Sequence, residues 1–507
     1  MLLRRLLLLC LLTLALVARL VPGPRTIDDA YITFRYAQNV LAGNGLVYNA
    51  GQRVLGTTTP AYALLLTLVG AVSGGAHAPF PILAWLLNAA ADLGSCWLLI
   101  RLGERLGSRS AGIAASVAWA ISPMAVTFSI GGMETSVFVL LTLATLYLHS
   151  TRRPVAASLA AAVTLLTRPD GLILLIPLAI DRIRRILPTG RLNLQPQPIR
   201  LRELAALLLP LSAWIFFGWI YFGSPVPQSI SAKIAAYRLP PEAALVRLLQ
   251  HYATPFFEEH TFGAPAIAVG LILYPTLFTL GALKALRRDL TNWAILVFPW
   301  SYFVAYSLAN PLIFRWYLAP PLPVYFCGIF LGIDRLSRDV KLPLLLAAAV
   351  LVSASLGFHA WTIHPDHGPD RPAPEMAYIK LELLYQEVAF EVRPRIQSDQ
   401  VLAAGDIGAL GYYTGARILD TVGLISPEAN RYYPLPASYY AINYAIPPRL
   451  IVEQRPEFLV LLEAYGRLGL LRDPEFLRTY RLEEVLPTDI YGSDGMLVFM
   501  RKDTIPP

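Results

Sequence analysis

"TIDDAYITFRYAQNVLAGNGLVYNAGQRVLGTTTPAY" runs from Thr26 to Tyr62 and opens on two adjacent carboxylates, Asp28 and Asp29. It follows an apolar segment, "LLRRLLLLCLLTLALVARLV" (2–21). Asp-Asp followed by "AYITFRYA" reads as the start of an amphipathic helix, with acids in the first turn where the helix dipole favours them. Two carboxylates side by side also raise each other's pKa unless a cation or a divalent metal is close. The pair therefore suits a helix start, and equally a general base or a base beside a metal ligand. "GNG" (43–45) and "GQRVLG" (51–56) are glycine turns. They lack the strand before and helix after that a dinucleotide fingerprint needs.

Outward from this stretch the chain is a membrane composition. Of its 507 residues 55% are apolar and 15% charged, against roughly a quarter charged in a soluble domain. The formal charge of +8 does not point to nucleic acid. The Arg and Lys residues sit between hydrophobic runs, where the positive-inside rule puts them. Cys10, Cys96 and Cys327 all lie in apolar runs and read as small core hydrophobes, with no disulfide framework or cysteine metal site. Segment 2–21 has a basic start, nearly spanning length and no small-x-small cleavage site. It reads as an uncleaved anchor with Arg4 and Arg5 in the cytoplasm.

Later apolar runs of roughly 14 to 22 residues are candidate helices. They fall near 80–100, 110–129, 134–149, 155–167, 171–187, 203–222, 264–284, 292–309, 313–334 and 342–361. The run 60–74, "PAYALLLTLVGAVSG", is short and opens on Pro60. If it lies flat on the outer surface, every basic loop (101–109, 149–154, 181–202, 284–290 and 334–341) falls inside, so the charge rule favours an interfacial helix there. The expectation is a polytopic α-helical membrane protein of about eleven spans. It sits in the plasma membrane with the N-terminus cytoplasmic and the C-terminus outside. Asp28, Asp29, Glu134, Arg168, Asp170, Lys233 and Arg315 then collect on the outer face, where ionisable groups at the membrane edge are often functional.

The tail changes character. "QVLAAGDIG", "ARILDTVG", "PEFLVLL" and "GMLVFM" are strand-like and alternate with helical patterns such as "PEMAYIKLELLYQEVAF". This predicts a small extracytoplasmic α/β domain over 362–507, after a membrane domain over 1–361 whose first outer loop is 22–79. "HPDH" (364–367) reads as a loop between the two, and no His-Glu-x-x-His or paired-cysteine zinc spacing occurs.

The opening stretch resembles the first outer loop of the GT-C superfamily of membrane glycosyltransferases, which take sugars from polyprenyl phosphates and carry Asp-Asp or Asp-Glu straight after the first span, as "IDDAY" does here. "DDAYITFRYAQNVLAGNGLVYNAGQRVLG" resembles in particular the cell-wall arabinofuranosyltransferases that use decaprenyl-phosphoarabinose. "GGMETSVFV", "GSPVPQSISAK" and "GDIGALGYYTGARILDTVGL" are similar to later segments of that subgroup, in the same order. "LGTTTPAY" departs from the "GYTS"-like stretch of the pattern. The resemblance implies inverting transfer of a hexosyl or pentosyl group from a polyprenyl-phosphate donor to an extracytoplasmic glycan, lipid or protein acceptor. It implies Asp28 as the base, with Asp29 a near-equal rival, a metal ligand or an orienter. Glu134 and Asp170 would shape the acceptor pocket or hold a metal. Lys233 and Arg315 would meet the phosphate, with Arg35 and Arg168 as weaker candidates. A divalent metal (Mg or Mn) held by Asp29 and Glu134 is the one cofactor it admits. A flippase or transporter of lipid-linked sugars would predict inverted repeats and mid-membrane charges, and neither is visible in the sequence. A non-catalytic membrane scaffold is the third reading.

Overall fold

The computed structural model describes residues 2–184, 198–258, 260–364, 368 and 370–504. Of the expected basic loop 181–202 only the ends are described, and of "HPDH" only His364; the remainder lies outside the described residues. The chain folds as two compact units that do not follow chain order. One comprises Met1–Arg25, Ala84–Ala213 and Pro241–Tyr378, the other Thr26–Leu83, Trp214–Pro240 and Ile379–Pro507.

The first unit is helical. Among the described residues four helices are long and apolar enough to cross a membrane: Phe80–Leu106, Leu201–Phe222, Gly263–Arg288 and, with its leading turn, Arg315–Asp339. A helix satisfies its own backbone donors and acceptors, so it is the form an apolar run takes in lipid. Arg109–Ile121 and Pro123–Ile130 form a further, bent pair with a 52° angle between them. Pro123 has no N–H to continue the first helix, and the Ser122 hydroxyl accepts from the Ala125 N–H to start the second. Thr135–Ser150, Pro154–Thr167 and Leu345–His359 are shorter apolar helices. Gly263–Arg288 and Leu322–Asp339 meet through glycines: a Cβ on Gly332 would lie 1.9 Å from the Leu277 carbonyl oxygen, and one on Gly281 2.5 Å from that of Gly328. Small residues four apart let helix backbones touch where lipid gives no hydrophobic drive. The buried Arg19 and Asp92 pair at 2.9 Å, as charges removed from water must. Strands β1 (Trp361–Thr362) and β2 (Ala373–Pro374) close this unit as an antiparallel pair.

The second unit joins the opening stretch to the tail. Its helix Asp28–Leu41 begins at the paired acid. Pro60–Ala71 follows, a helix of 12 residues that rises about 18 Å, well short of a hydrocarbon core of roughly 30 Å. The tail carries β3 (Val401–Ala404), β4 (Arg417–Asp420), β5 (Phe458–Leu462), β6 (Tyr480–Leu486) and β7 (Met496–Arg501), in the order β4-β3-β5-β7-β6. β3 pairs parallel with β4 and β5; β7 is antiparallel to β5 and β6. All four strand-like runs are strands. β5 is central and buried along its whole length, so its sequence is continuously apolar. β6 was not expected. It is an edge strand carrying Arg481, Glu483 and Glu484 with a register shift at Leu482/Glu484, and charge on an edge hides the strand pattern while protecting the edge from further pairing.

Candidate active site

The paired acid is placed by two short helices of the second unit. Asp28 and Arg35 are seven residues apart, two turns along one face of Asp28–Leu41. Beside them lies the helix Gly408–Thr414, which connects β3 to β4. The Asp28 carboxylate accepts the N–H of Gly408 (2.9 Å) and of Ala409 (2.7 Å). The buried Arg35 donates to the carbonyls of Gly411, Ala416 (2.6 Å) and Tyr48 (2.8 Å), with its guanidinium over the Tyr48 ring at 4.4 Å. An anion thus sits at the positive end of this helix and a cation at its negative end. The approach is close enough to require glycine: a Cβ on Gly408 would fall 1.8 Å from the Asp28 carbonyl oxygen, and one on Gly411 1.8 Å from the Tyr48 hydroxyl. This corrects the expectation that Arg35 contacts substrate, because its guanidinium is occupied by backbone carbonyls.

Asp29 is in a different situation. Its side chain is 31% exposed and makes no hydrogen bond to a described residue; its neighbour is Lys233, 25% exposed, at 3.8 Å. Lys233 comes from the helix Gln228–Ala236, so residues two hundred positions apart meet. Two further acids face the pair. Asp406 follows β3 at the carboxyl end of the parallel strands, where loops of open α/β sheets build sites. Its Oδ2 accepts from the hydroxyls of Tyr385 (2.7 Å) and Tyr465 (3.0 Å). Glu382 accepts the Asp28 N–H at 3.3 Å. Burial, then the Asp406 charge, push the Asp28 carboxyl well above the usual range, against the pull of its two backbone N–H partners. Burial also raises Asp406, against its two tyrosine hydroxyls. Sequence reasoning missed Asp406, Glu382, Tyr385 and Tyr465. The available signals were the Asp inside "GDIG" and the i, i+3 spacing of Glu382 and Tyr385 in a helical pattern.

Glu382 carries a pH prediction. Burial, with Asp406 and Asp29 nearby, pushes its carboxyl up to about 7. A pKa raised on folding favours the protonated form. The associated stability is therefore full below the unfolded value near 4.5 and is lost as pH rises through about 7. Between pH 5 and 8 the wild type is expected to lose on the order of 1–3 kcal/mol more stability than Glu382→Gln. Thermal unfolding of both proteins at the two pH values checks this, and parallel pH dependences would count against it.

The remaining candidates lie in the first unit. Arg168 donates from Nε and Nη2 to the two oxygens of Asp170 (2.9 and 3.0 Å), and from Nη1 to Glu134 at 3.3 Å. The hydroxyl of Tyr302 donates to Asp170 at 2.8 Å, and the Arg168 guanidinium lies 4.7 Å from the Tyr317 ring centre. The structure brings Glu134, Arg168 and Asp170 together, with their charges directed at one another. Arg315 is exposed and forms no ion pair with a described residue.

The donor set does not fit a divalent ion as it is arranged. Asp28 and Asp406 already accept hydrogen bonds from protein donors. Among the described residues no three His, Cys, Asp or Glu side chains gather as a metal site.

Residues 377–499 match a family model described as "Domain of unknown function (DUF8728)". No curated protein matches the chain. Among solved structures, ArnT from Cupriavidus metallidurans bound to undecaprenyl phosphate is similar at 13% identity, over 99% of both chains, with a TM-score of 0.57. The oligosaccharyltransferase AglB from Archaeoglobus fulgidus, in complex with an inhibitory peptide and a dolichol-phosphate, is similar at 11% identity over 99% of this chain and 74% of that one, TM-score 0.54. The mycobacterial arabinofuranosyltransferase AftD is similar at 16% identity over 98% of this chain and 39% of that one, with a TM-score of 0.44. The first two likenesses show the fold: this chain is built as those two proteins are built.

Proposed function

We propose that the chain is an inverting glycosyltransferase that moves a sugar from a polyprenyl-phosphate donor to an extracytoplasmic glycan, lipid or protein acceptor, with Asp29 as its base. The observation that carries this reading is the pair at the start of the first outer loop: a partly exposed carboxylate with no hydrogen-bond partner among the described residues, 3.8 Å from the ammonium of Lys233. The acceptor hydroxyl gives its proton to Asp29 as its oxygen attacks the anomeric carbon. The bond from that carbon to the phosphate oxygen breaks, and its electron pair leaves with the phosphate, whose growing charge Lys233 stabilises. A general base must be judged by geometry before basicity, which favours Asp29 over Asp28, whose carboxylate is held by two backbone N–H groups. The fold's likeness to one protein holding undecaprenyl phosphate and another holding dolichol-phosphate supports a lipid-linked donor. The disposition in the plasma membrane is the one the basic loops favour: about eleven spans, N-terminus cytoplasmic, a membrane domain over 1–361 and an outer domain over 362–507.

Purified protein in nanodiscs with a radiolabelled polyprenyl-phosphate sugar and an envelope extract as acceptor tests the reading. Transfer of label supports it. Movement of the lipid across the bilayer without transfer would favour a flippase, and binding alone a scaffold. Lys233→Ala is expected to lower kcat/KM for the donor roughly 10- to 100-fold, with partial recovery in Lys233→Arg. An unchanged kcat/KM would remove Lys233 from the site.

A further inference from the structure

A cleft of about 350 Å³ in the first unit is lined by Trp97, Arg101, Tyr147, Thr151 and Arg153. Trp97 and Arg101 are one turn apart on Phe80–Leu106, and Tyr147 and Thr151 one turn apart at the end of Thr135–Ser150. Nη2 of Arg101 donates to the Tyr147 hydroxyl at 3.3 Å, leaving that hydroxyl's own proton for a ligand. The local charge is in excess. Arg101 and Arg109 share one acid, Glu104, while Arg153 is exposed and forms no ion pair with a described residue. The cleft is within the volume range of small-ligand sites.

The helix leading to it is lipid-like on the same face. Leu86 (49% exposed), Ala90, Trp97 (44%) and Arg101 are the exposed positions of one stripe. At 3.6 residues per turn they fall within roughly 100° of one another and extend over roughly 22 Å. An exposed apolar stripe ending in a Trp, a Tyr and two arginines is the arrangement of an acyl chain capped by a phosphate at the membrane interface. We infer that this cleft binds the phosphate headgroup of an acidic phospholipid, with Arg101, Arg153 and the Tyr147 hydroxyl on the phosphate and an acyl chain along Leu86, Ala90 and Trp97. A soluble anion would use the arginines but not the stripe.

The test is lipid retention, read by native mass spectrometry of the full chain released from nanodiscs of equal parts phosphatidylglycerol and phosphatidylcholine. The wild type is expected to retain phosphatidylglycerol over phosphatidylcholine about tenfold, and Arg101→Gln/Arg153→Gln to lose the preference. Arg153→Gln alone, in an exposed turn, is expected to weaken it and keeps the test open if the double variant does not fold. Equal retention by the wild type, or an undiminished preference in the folded variants, would overturn the proposal. So would displacement of phosphatidylglycerol by millimolar inorganic phosphate, which would make this a soluble-anion site.

Discussion

Asp29→Asn is expected to lower turnover about 10²- to 10⁴-fold while leaving thermal stability nearly unchanged. The side chain is partly exposed, lies on the first turn of its helix and makes no hydrogen bond to a described residue, so removing its charge takes away a proton acceptor and little else. Asp28→Asn is expected to behave in the opposite way. Its carboxylate holds the N–H groups of Gly408 and Ala409, and a carboxamide can face them with only one oxygen. A loss of about 1–3 kcal/mol in stability follows, with turnover per folded molecule much less affected than in Asp29→Asn. Turnover and unfolding measured on both variants in nanodiscs separate the roles. If Asp28→Asn is stable and inactive while Asp29→Asn turns over, the base is Asp28, as the likeness to the GT-C loop implies. A metal role for Asp29 has its own signature: the Asp29→Asn defect would shrink as Mg or Mn is raised.

The contrast between these neighbours shows what a linear sequence holds. Apolar runs of spanning length read directly as helices, because lipid allows the backbone little else. The helix start at Asp28 was legible for a similar reason, since acids belong in a first turn. The runs that became β3, β4, β5 and β7 were legible from their apolar content. β6 was not, because its edge position selects the charges that disguise it. What each acid does was not legible, because its partners are supplied from far along the chain. Asp28 is engaged by residues 408 and 409, and Asp29 by Lys233. Arg35 looked available for a phosphate until the carbonyls of Gly411 and Ala416 were placed against it. Asp406 has only the Asp inside "GDIG" as a local signal: its setting depends on Tyr385 and Tyr465, twenty-one residues before it and fifty-nine after it. The outer-face set of seven residues proved to be divided between the two units, a grouping that charge and hydropathy do not encode.

Arg168→Met is expected to destabilise the first unit by about 3–5 kcal/mol, because it leaves buried carboxylates without their cation. The side chains of Arg168, Glu134 and Asp170 are 2%, 6% and 8% exposed. Both oxygens of Asp170 depend on the guanidinium, and Glu134 shares it. The attraction within such a cluster roughly offsets the desolvation of its members, so the cluster as a whole contributes little net stability while each member is indispensable to the others. This gives a second, discriminating expectation. Neutralising the acids as well, in Arg168→Met/Glu134→Gln/Asp170→Asn, should recover a substantial part of the loss, since no uncompensated charge is then buried. A substrate-binding Arg168 would give a different result: a single variant close to wild type in stability and deficient in donor or acceptor affinity, with no recovery in the triple variant. Unfolding in bicelles together with donor titration distinguishes the two. The hydrogen bonds of Tyr302 and the ring of Tyr317 against the same ions favour the structural outcome, because they fill the positions around Asp170 and Arg168 that a sugar hydroxyl or a phosphate would need.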